Sequence, residues 1–348
     1  MVEKECLEEV LRKLKVPEFQ ELRKRILRKF REPVALPKSV KKRGMVKSIV
    51  RVDKIYSIVN SELEKLIKTL PRESDLKPYH LEVLKLASIE DYRDIVGKIR
   101  GMQAVLRRLW REYRLKIKSS VDSAEAKRLS REFVGRVMSV LRRLRHDFDR
   151  LNTAVRELSK LPCIEAGAPR IVVAGMPQVG KSTFVRLIST ARPEVSPFPF
   201  TTKDIILGHL HIGFSRIQVI DTPGILDRPL SKLNPVERKA VMALKYLADL
   251  VLFLIDPYEG AYYPLSQQLN LLKSVMEMFK GKEVIVVINK IDLVSDDRLH
   301  EVEGRIAEVY KGRILRMSAL KKQFVEEVLR EVVKKLGFSE NCLKSLSV

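Results

Sequence analysis

Four short stretches carry residue types suited to a multiply charged, phosphorylated ligand. GMPQVGKS (175–182) fits the pattern GxxxxGK[ST], between the apolar run IVVA and the amphipathic run STFVRLIST. A strand, a tight loop and a helix are expected there. The backbone N–H groups of Gly175, Gln178, Val179, Gly180, Lys181, Ser182 and Thr183 can then wrap phosphate oxygens at a helix N-terminus. Lys181 is expected to neutralise the β- and γ-phosphates, and Ser182 to ligate Mg2+. DTPG (221–224) follows the run IQVI; Asp221 is expected to hold the metal through a water, and the Gly224 N–H to sense a γ-phosphate. NKID (289–292) follows VIVVI. Asn289 and Asp292 there form a guanine site, because a carboxylate accepts from both the ring N–H and the exocyclic amine, donors that adenine does not pair at one edge. Lys290 is expected over the base plane, and Ser318 and Ala319 of MSAL (317–320) close the pocket.

Between the first two stretches lies SPFPFTTKD (196–204). A threonine in such a loop completes the Mg2+ shell when a γ-phosphate is present; Thr202 is the first choice and Thr201 the alternative. Lys181, Thr202 and Gly224 are the expected catalytic set, and Asp221, Thr222, Pro223, Gly224 and Ile225 form the second switch. Ile225 stands where a glutamine commonly orients the attacking water. It can neither donate nor accept a hydrogen bond. Other candidates carry less. His209 and His211 share a strand face but have no evident third ligand for a metal. Arg186, Arg192 and Arg228 are more simply surface arginines than arginine fingers.

These stretches need elements to hold them. After residue 170, β-branched runs alternate with amphipathic segments: 171–175, 205–212, 217–221, 250–256, 284–289 and 313–318 read as strands. The alternation predicts an α/β sandwich with a mostly parallel sheet. Before residue 160 the chain reads almost wholly as helix: 2–14, 19–30, 48–70, 89–118 and 124–161, with Asp122 or Ser123 capping the last and 32–48 a basic loop. Long helices with short joints predict an antiparallel bundle, with Trp110 and Tyr113 in or beside its core. The expected organisation is a basic helical bundle (1–160), a linker (161–169), a nucleotide domain (170–337) and a C-terminal tail (338–348).

Charge divides the same way. Residues 1–165 hold 41 Lys+Arg against 24 Asp+Glu, a net +17; the remainder holds 26 against 20, a net +6. A basic first half is expected to meet a polyanion, and with 6% aromatic residues the contacts go to phosphates and shape. The cluster KKR (41–43) with Lys38 and Lys47 is either a phosphate-binding loop or a solvated one. Cys6, Cys163 and Cys342 lie far apart with no CxxC pair, which argues against a disulfide framework or a zinc site and for a reducing compartment. The start is charged, and no apolar run approaches the roughly 20 residues that span a bilayer. A cytoplasmic protein with no membrane partner is expected.

GMPQVGKSTF, PFPFTTKDIILGH, IQVIDTPGILDRPL and INKID together resemble the Obg-related GTPases, most closely the Nog-type nucleolar GTP-binding proteins and their archaeal relatives. HLEVLKLASIEDYRDIVGKI resembles the helical segment ahead of that family's G domain, and LSKLPCIEAGAPRIVVAG its junction. The likeness covers roughly residues 60–335 and is most specific in 170–320. It implies a Ras-like P-loop G domain behind a helical domain, GTP/GDP and Mg2+ binding, and slow GTP hydrolysis stimulated by ribosomal particles. It also implies a role in assembling the large ribosomal subunit or its precursor through rRNA, as a monomer away from the ribosome. The alternative is an rRNA-binding placeholder with a structural nucleotide and negligible turnover. The family's phosphate loop commonly reads NVGKS, with an asparagine that helps bind an activating K+ in some relatives; Gln178 stands there and puts K+ activation in question. A paucity of Asn and Gln fits an archaeal source.

Overall fold

The computed structural model describes residues 6–338, apart from 165, 166, 191 and 214. Nearly all of the expected C-terminal tail, including Cys342, lies outside the described residues. The chain forms two compact units, Met1–Ser159 and Lys160–Val348.

The first unit is helical: α1 (Leu7–Lys13), α2 (Phe19–Arg31), α3 (Arg43–Thr69), α4 (Pro78–Leu86), α5 (Tyr92–Lys118), α6 (Ser123–Arg143) and α7 (Arg145–Ser159). Its centre is the packing of α3, α5 and α6 on one another. The helices bury residues three and four apart: Val52, Ile55, Val59, Leu63 and Leu66 from α3, Ile95, Ile99, Leu106, Tyr113 and Ile117 from α5, and Phe133, Val137 and Leu141 from α6. Residues 119–122 alone join α5 to α6, so the two run antiparallel. Asp122 is the cap, accepting from the Glu125 N–H at 2.7 Å.

Three expectations change. The basic loop stops early, because α3 already starts at Arg43. The expected helix 124–161 is two helices, broken at Leu144. α6 packs mainly on α3 and α5 whereas α7 packs mainly on α1 and α4, so the break re-aims one continuous apolar stripe. Cys6 and Cys163 are each in the disulfide state, against the expectation drawn from the lack of a CxxC pair. Trp110 is half-buried, stacked on Tyr56 with ring centroids 4.6 Å apart and donating to Asp53 at 2.6 Å.

The second unit is a seven-stranded sheet in the order β2-β3-β4-β1-β5-β6-β7. The strands are β1 (Arg170–Ala174), β2 (Glu194–Pro197), β3 (Asp204–Ile212), β4 (Ser215–Asp221), β5 (Leu250–Ile255), β6 (Glu283–Ile288) and β7 (Ile314–Arg316). The pairs β2–β3 and β3–β4 are antiparallel and the rest parallel. The sequence reading missed β2, an edge strand that is mostly exposed and ends in proline. The helices are α8 (Lys181–Ile188), α9 (Pro235–Leu247), α10 (Leu265–Met278), α11 (Asp296–Ala307) and α12 (Val325–Lys335). β5 is buried along its whole length, as the continuous run LVLFLI requires of a strand covered on both faces. Among the described residues no helix is long and apolar enough to cross a membrane.

Candidate nucleotide-binding site

Parallel α/β sheets place their ligand sites beyond the carboxyl ends of the strands. The motif residues gather there. β1 runs into residues 175–180, and α8 begins at Lys181. Gly175, Gln178 and Gly180 take φ of +138°, +68° and +98°, so the loop turns through conformations that place successive N–H groups toward its concave side. The loop is also tightly seated. A Cβ on Gly175 would lie 2.6 Å from the Leu254 carbonyl oxygen, and one on Gly180 would lie 2.3 Å from the Asn289 amide nitrogen.

Lys181 is buried and donates to the carbonyls of Gly175 and Met176 at 2.8 and 2.9 Å. Burial pulls its ammonium below the usual lysine value, against the opposing pull of Asp221 and Asp227. Ser182 donates to Asp221 Oδ2 at 2.5 Å. Asp221 is fully buried at the end of β4, and its Oδ1 has no hydrogen-bond partner among the described residues. Burial pushes its carboxyl above the ordinary carboxylate range, while the Ser182 hydroxyl and the Lys181 charge pull it back. A hydroxyl and an orphaned carboxylate oxygen are the hard oxygen donors that Mg2+ prefers, so the residues present fit that ion.

The segment expected as the second switch is anchored at both ends. The Thr222 hydroxyl donates to the Val173 carbonyl at 3.2 Å, and the Gly175 N–H donates to the Leu226 carbonyl at 3.5 Å. Between them Gly224 takes φ +74°, and Ile225 is buried at 4% exposure. Ile225 is therefore a packing residue that seats this segment. The first switch is less gathered: Thr202 is exposed, with no hydrogen bond to Ser182 or Asp221 among the described residues. The Thr201 hydroxyl accepts from the Lys203 N–H at 3.1 Å.

The base end is built around Asn289. Its amide donates to the Val179 carbonyl at 2.8 Å and accepts from the Ala319 N–H at 3.0 Å, tying the phosphate loop to the 317–320 loop. Ser318 and Ala319 are buried. Asp292 is exposed in a 3-10 turn, Ile291–Leu293. Lys290, at φ +61°, pairs with Asp256 at 2.6 Å. Sequence reasoning passed over Asp256, although it directly follows the strand LVLFLI at the sheet's ligand end. Gln268 holds it in place, accepting from the Asp256 N–H and donating to its carbonyl, both at 2.9 Å.

Two of the weaker candidates are engaged elsewhere. Arg228 pairs with Glu237 at 2.6 Å. His211 sits between the Arg216 guanidinium and the Thr190 hydroxyl.

A glycine-turned phosphate loop that leads into a buried lysine, on a mostly parallel sheet, with a metal-type aspartate ending the neighbouring strand, defines a P-loop nucleotide-binding domain of the GTPase class. The kinship is narrower than the class. Residues 12–165 match the NOG1 N-terminal helical domain, and residues 235–292 match the nucleolar GTP-binding protein 1 (NOG1) family. An uncharacterised protein of Methanocaldococcus jannaschii is 38% identical, over 72% of this chain and 70% of its own length. Nucleolar GTP-binding protein 1 of Saccharomyces cerevisiae is 31% identical over 82% of this chain, but only 45% of its own length is matched. The chain thus spans less than half of that nucleolar relative. A crystal structure of a nucleolar GTP-binding protein 1 from Plasmodium falciparum is 30% identical, covering 51% of this chain and 90% of that one with a TM-score of 0.44. The chain belongs to the NOG1 family of Nog-type GTPases.

Proposed function

We propose that this protein binds GTP and GDP with Mg2+, hydrolyses GTP slowly, and assists assembly of the large ribosomal subunit from the cytoplasm, with its helical unit against rRNA. The observation that carries the nucleotide part is the buried Lys181–Ser182–Asp221 cluster with its unpartnered Asp221 Oδ1. Two desolvated charges with an unsatisfied oxygen are costly to keep unless a ligand completes them. Ser182 and Asp221 would hold Mg2+, which when bound neutralises charge on the β- and γ-phosphate oxygens. Lys181 leaves the two carbonyls it now meets for the phosphates, a stronger charge-assisted partner. Asp292 takes the guanine edge, Lys290 covers the base under the hold of Asp256, and Asn289 keeps both loops in register.

Ribosome assembly is supported by the family and by the +17 carried by residues 1–165. GTP binding should prefer guanine over adenine nucleotides, and Asp292→Asn should lose that preference without loss of folding, since Asp292 is exposed. Turnover measured with and without large-subunit particles tests the enzyme reading. Stimulation is expected. Equal binding of GTP-analogue and GDP forms to the particles, with no stimulation, would favour the second reading of a placeholder with structural nucleotide. That second reading is favoured by one observation: Ile225, the side chain after Gly224, is buried and apolar.

A further inference from the structure

We propose that Lys203 is the cation that reads the γ-phosphate in this site and supports its hydrolysis, where no glutamine follows Gly224. The proposal rests on the GTPase reading above. The Lys203 side chain lies along the surface of Gly224: a Cβ built on that glycine would meet its Nζ at 2.5 Å, Cδ at 2.6 Å and Cε at 2.9 Å. Its ammonium donates to the Gly224 carbonyl. Any side chain at position 224 would displace it, on top of the strain of φ +74°. Lys203 thus joins the first switch to the second at the residue whose own N–H is assigned to the γ-phosphate.

The neighbours offer no substitute. Pro223 has no donor, Ile225 and Leu226 are buried and apolar, and the Thr222 hydroxyl is committed to the Val173 carbonyl. Arg228 is engaged by Glu237. Lys203 itself forms no ion pair with a carboxylate among the described residues, even though the exposed Asp204 is next in sequence. The half-exposed ammonium spends one N–H on a neutral carbonyl, so two of its three donors remain available to a ligand. Terminal phosphate oxygens are the better partner. GTP brings those oxygens and GDP does not, so the contact discriminates the two nucleotides.

During hydrolysis the water oxygen bonds to the γ-phosphorus and the bond to the β–γ bridging oxygen breaks. GDP leaves with that electron pair, and the proton lost by the water passes to phosphate or solvent. Lys203 stays protonated throughout and offsets charge on the γ-phosphoryl oxygens. A fixed ammonium supplies what a bound monovalent cation supplies elsewhere, so turnover should not need K+.

The test compares the unaltered chain with Lys203→Met and Lys203→Arg. Three quantities are read: affinity for a fluorescent GTP analogue and for fluorescent GDP, single-turnover hydrolysis in K+ and in Na+, and trapping of GDP with aluminium fluoride. Lys203→Met should keep GDP affinity within about 2-fold, weaken the GTP analogue by about 10-fold, and slow turnover on the order of 100-fold with loss of aluminium fluoride trapping. Lys203→Arg should recover part of both. The unaltered protein should turn over equally in K+ and Na+. Unchanged turnover in Lys203→Met, an equal loss of GTP and GDP affinity, or strict K+ dependence of the unaltered protein would each overturn the proposal. If the unaltered protein binds no GTP, the GTPase reading falls with it; if it hydrolyses GTP and Lys203→Met does so equally, the assignment of Lys203 alone falls.

Discussion

Asn289 shows how one side chain serves two ends of a site. Its type and place in NKID predict a base contact, yet its amide is spent on Val179 and Ala319, with 2% exposure. Asn289→Ala leaves a buried carbonyl and a buried N–H unpaired, so the protein should lose about 2 kcal/mol of stability and also bind GDP more weakly. Thermal unfolding with and without GDP reads both losses; a variant that loses affinity while keeping full stability would show that the brace is dispensable. Asp221 gives a pH signature. Its carboxyl is raised by burial in the folded, nucleotide-free protein, so the folded state holds that proton more tightly than the unfolded chain does. Stability should therefore fall as pH climbs from the ordinary carboxylate range through the raised value, and Asp221→Asn should remove that part of the slope. Urea unfolding across this range in the presence of a chelator measures it. An unchanged slope in the variant would mean that the strain at Asp221 is relieved some other way.

At the scale of elements, periodicity identified the helices but not their breaks. The buried positions Phe133, Val137, Leu141, Leu144, Phe148, Leu151, Val155 and Leu158 keep one helical phase through the junction of α6 and α7, and no glycine or proline marks it. The break coincides with a change of main partners, from α3 and α5 to α1 and α4. α1 is held by something the sequence did not announce. Glu8 and His80 are almost fully buried and meet at 2.8 Å, with the Tyr79 hydroxyl donating to the same carboxylate oxygen at 3.4 Å. Glu8→Ala should cost about 3 kcal/mol, because it leaves polar partners stranded inside the bundle. Chemical denaturation followed by far-UV circular dichroism would measure it; a loss below about 1 kcal/mol would mean that the pair behaves as if solvated.

For the whole molecule, the uneven charge is the property with the longest reach. Arg107, Arg108 and Arg111 are exposed on α5, one to four residues apart, and form no salt bridge among the described residues. If the helical unit holds RNA phosphates, replacing these three arginines with glutamine should weaken RNA binding and flatten the log–log salt dependence by roughly 2 to 3 units. Filter binding over a salt series checks both numbers. A slope that does not change would remove these side chains from the interface, and an affinity independent of salt would remove the electrostatic argument altogether.

The sequence by itself determined the nucleotide-site motifs, six of the seven strands and the helical character of the first half. Those rest on local rules: glycines that turn a loop, a lysine and a serine at fixed spacing behind them, β-branched runs and apolar residues every third or fourth position. Tertiary structure decided what depends on residues far apart in the chain. It set Asp256 against Lys290, 34 residues away, gave Asn289 its hold on Val179, and brought Lys203 across Gly224. It also showed Ile225, an apparent gap in the catalytic machinery, to be a buried packing residue. A contact between two loops is set by how the sheet stacks their parent strands, and no window along the chain contains that distance.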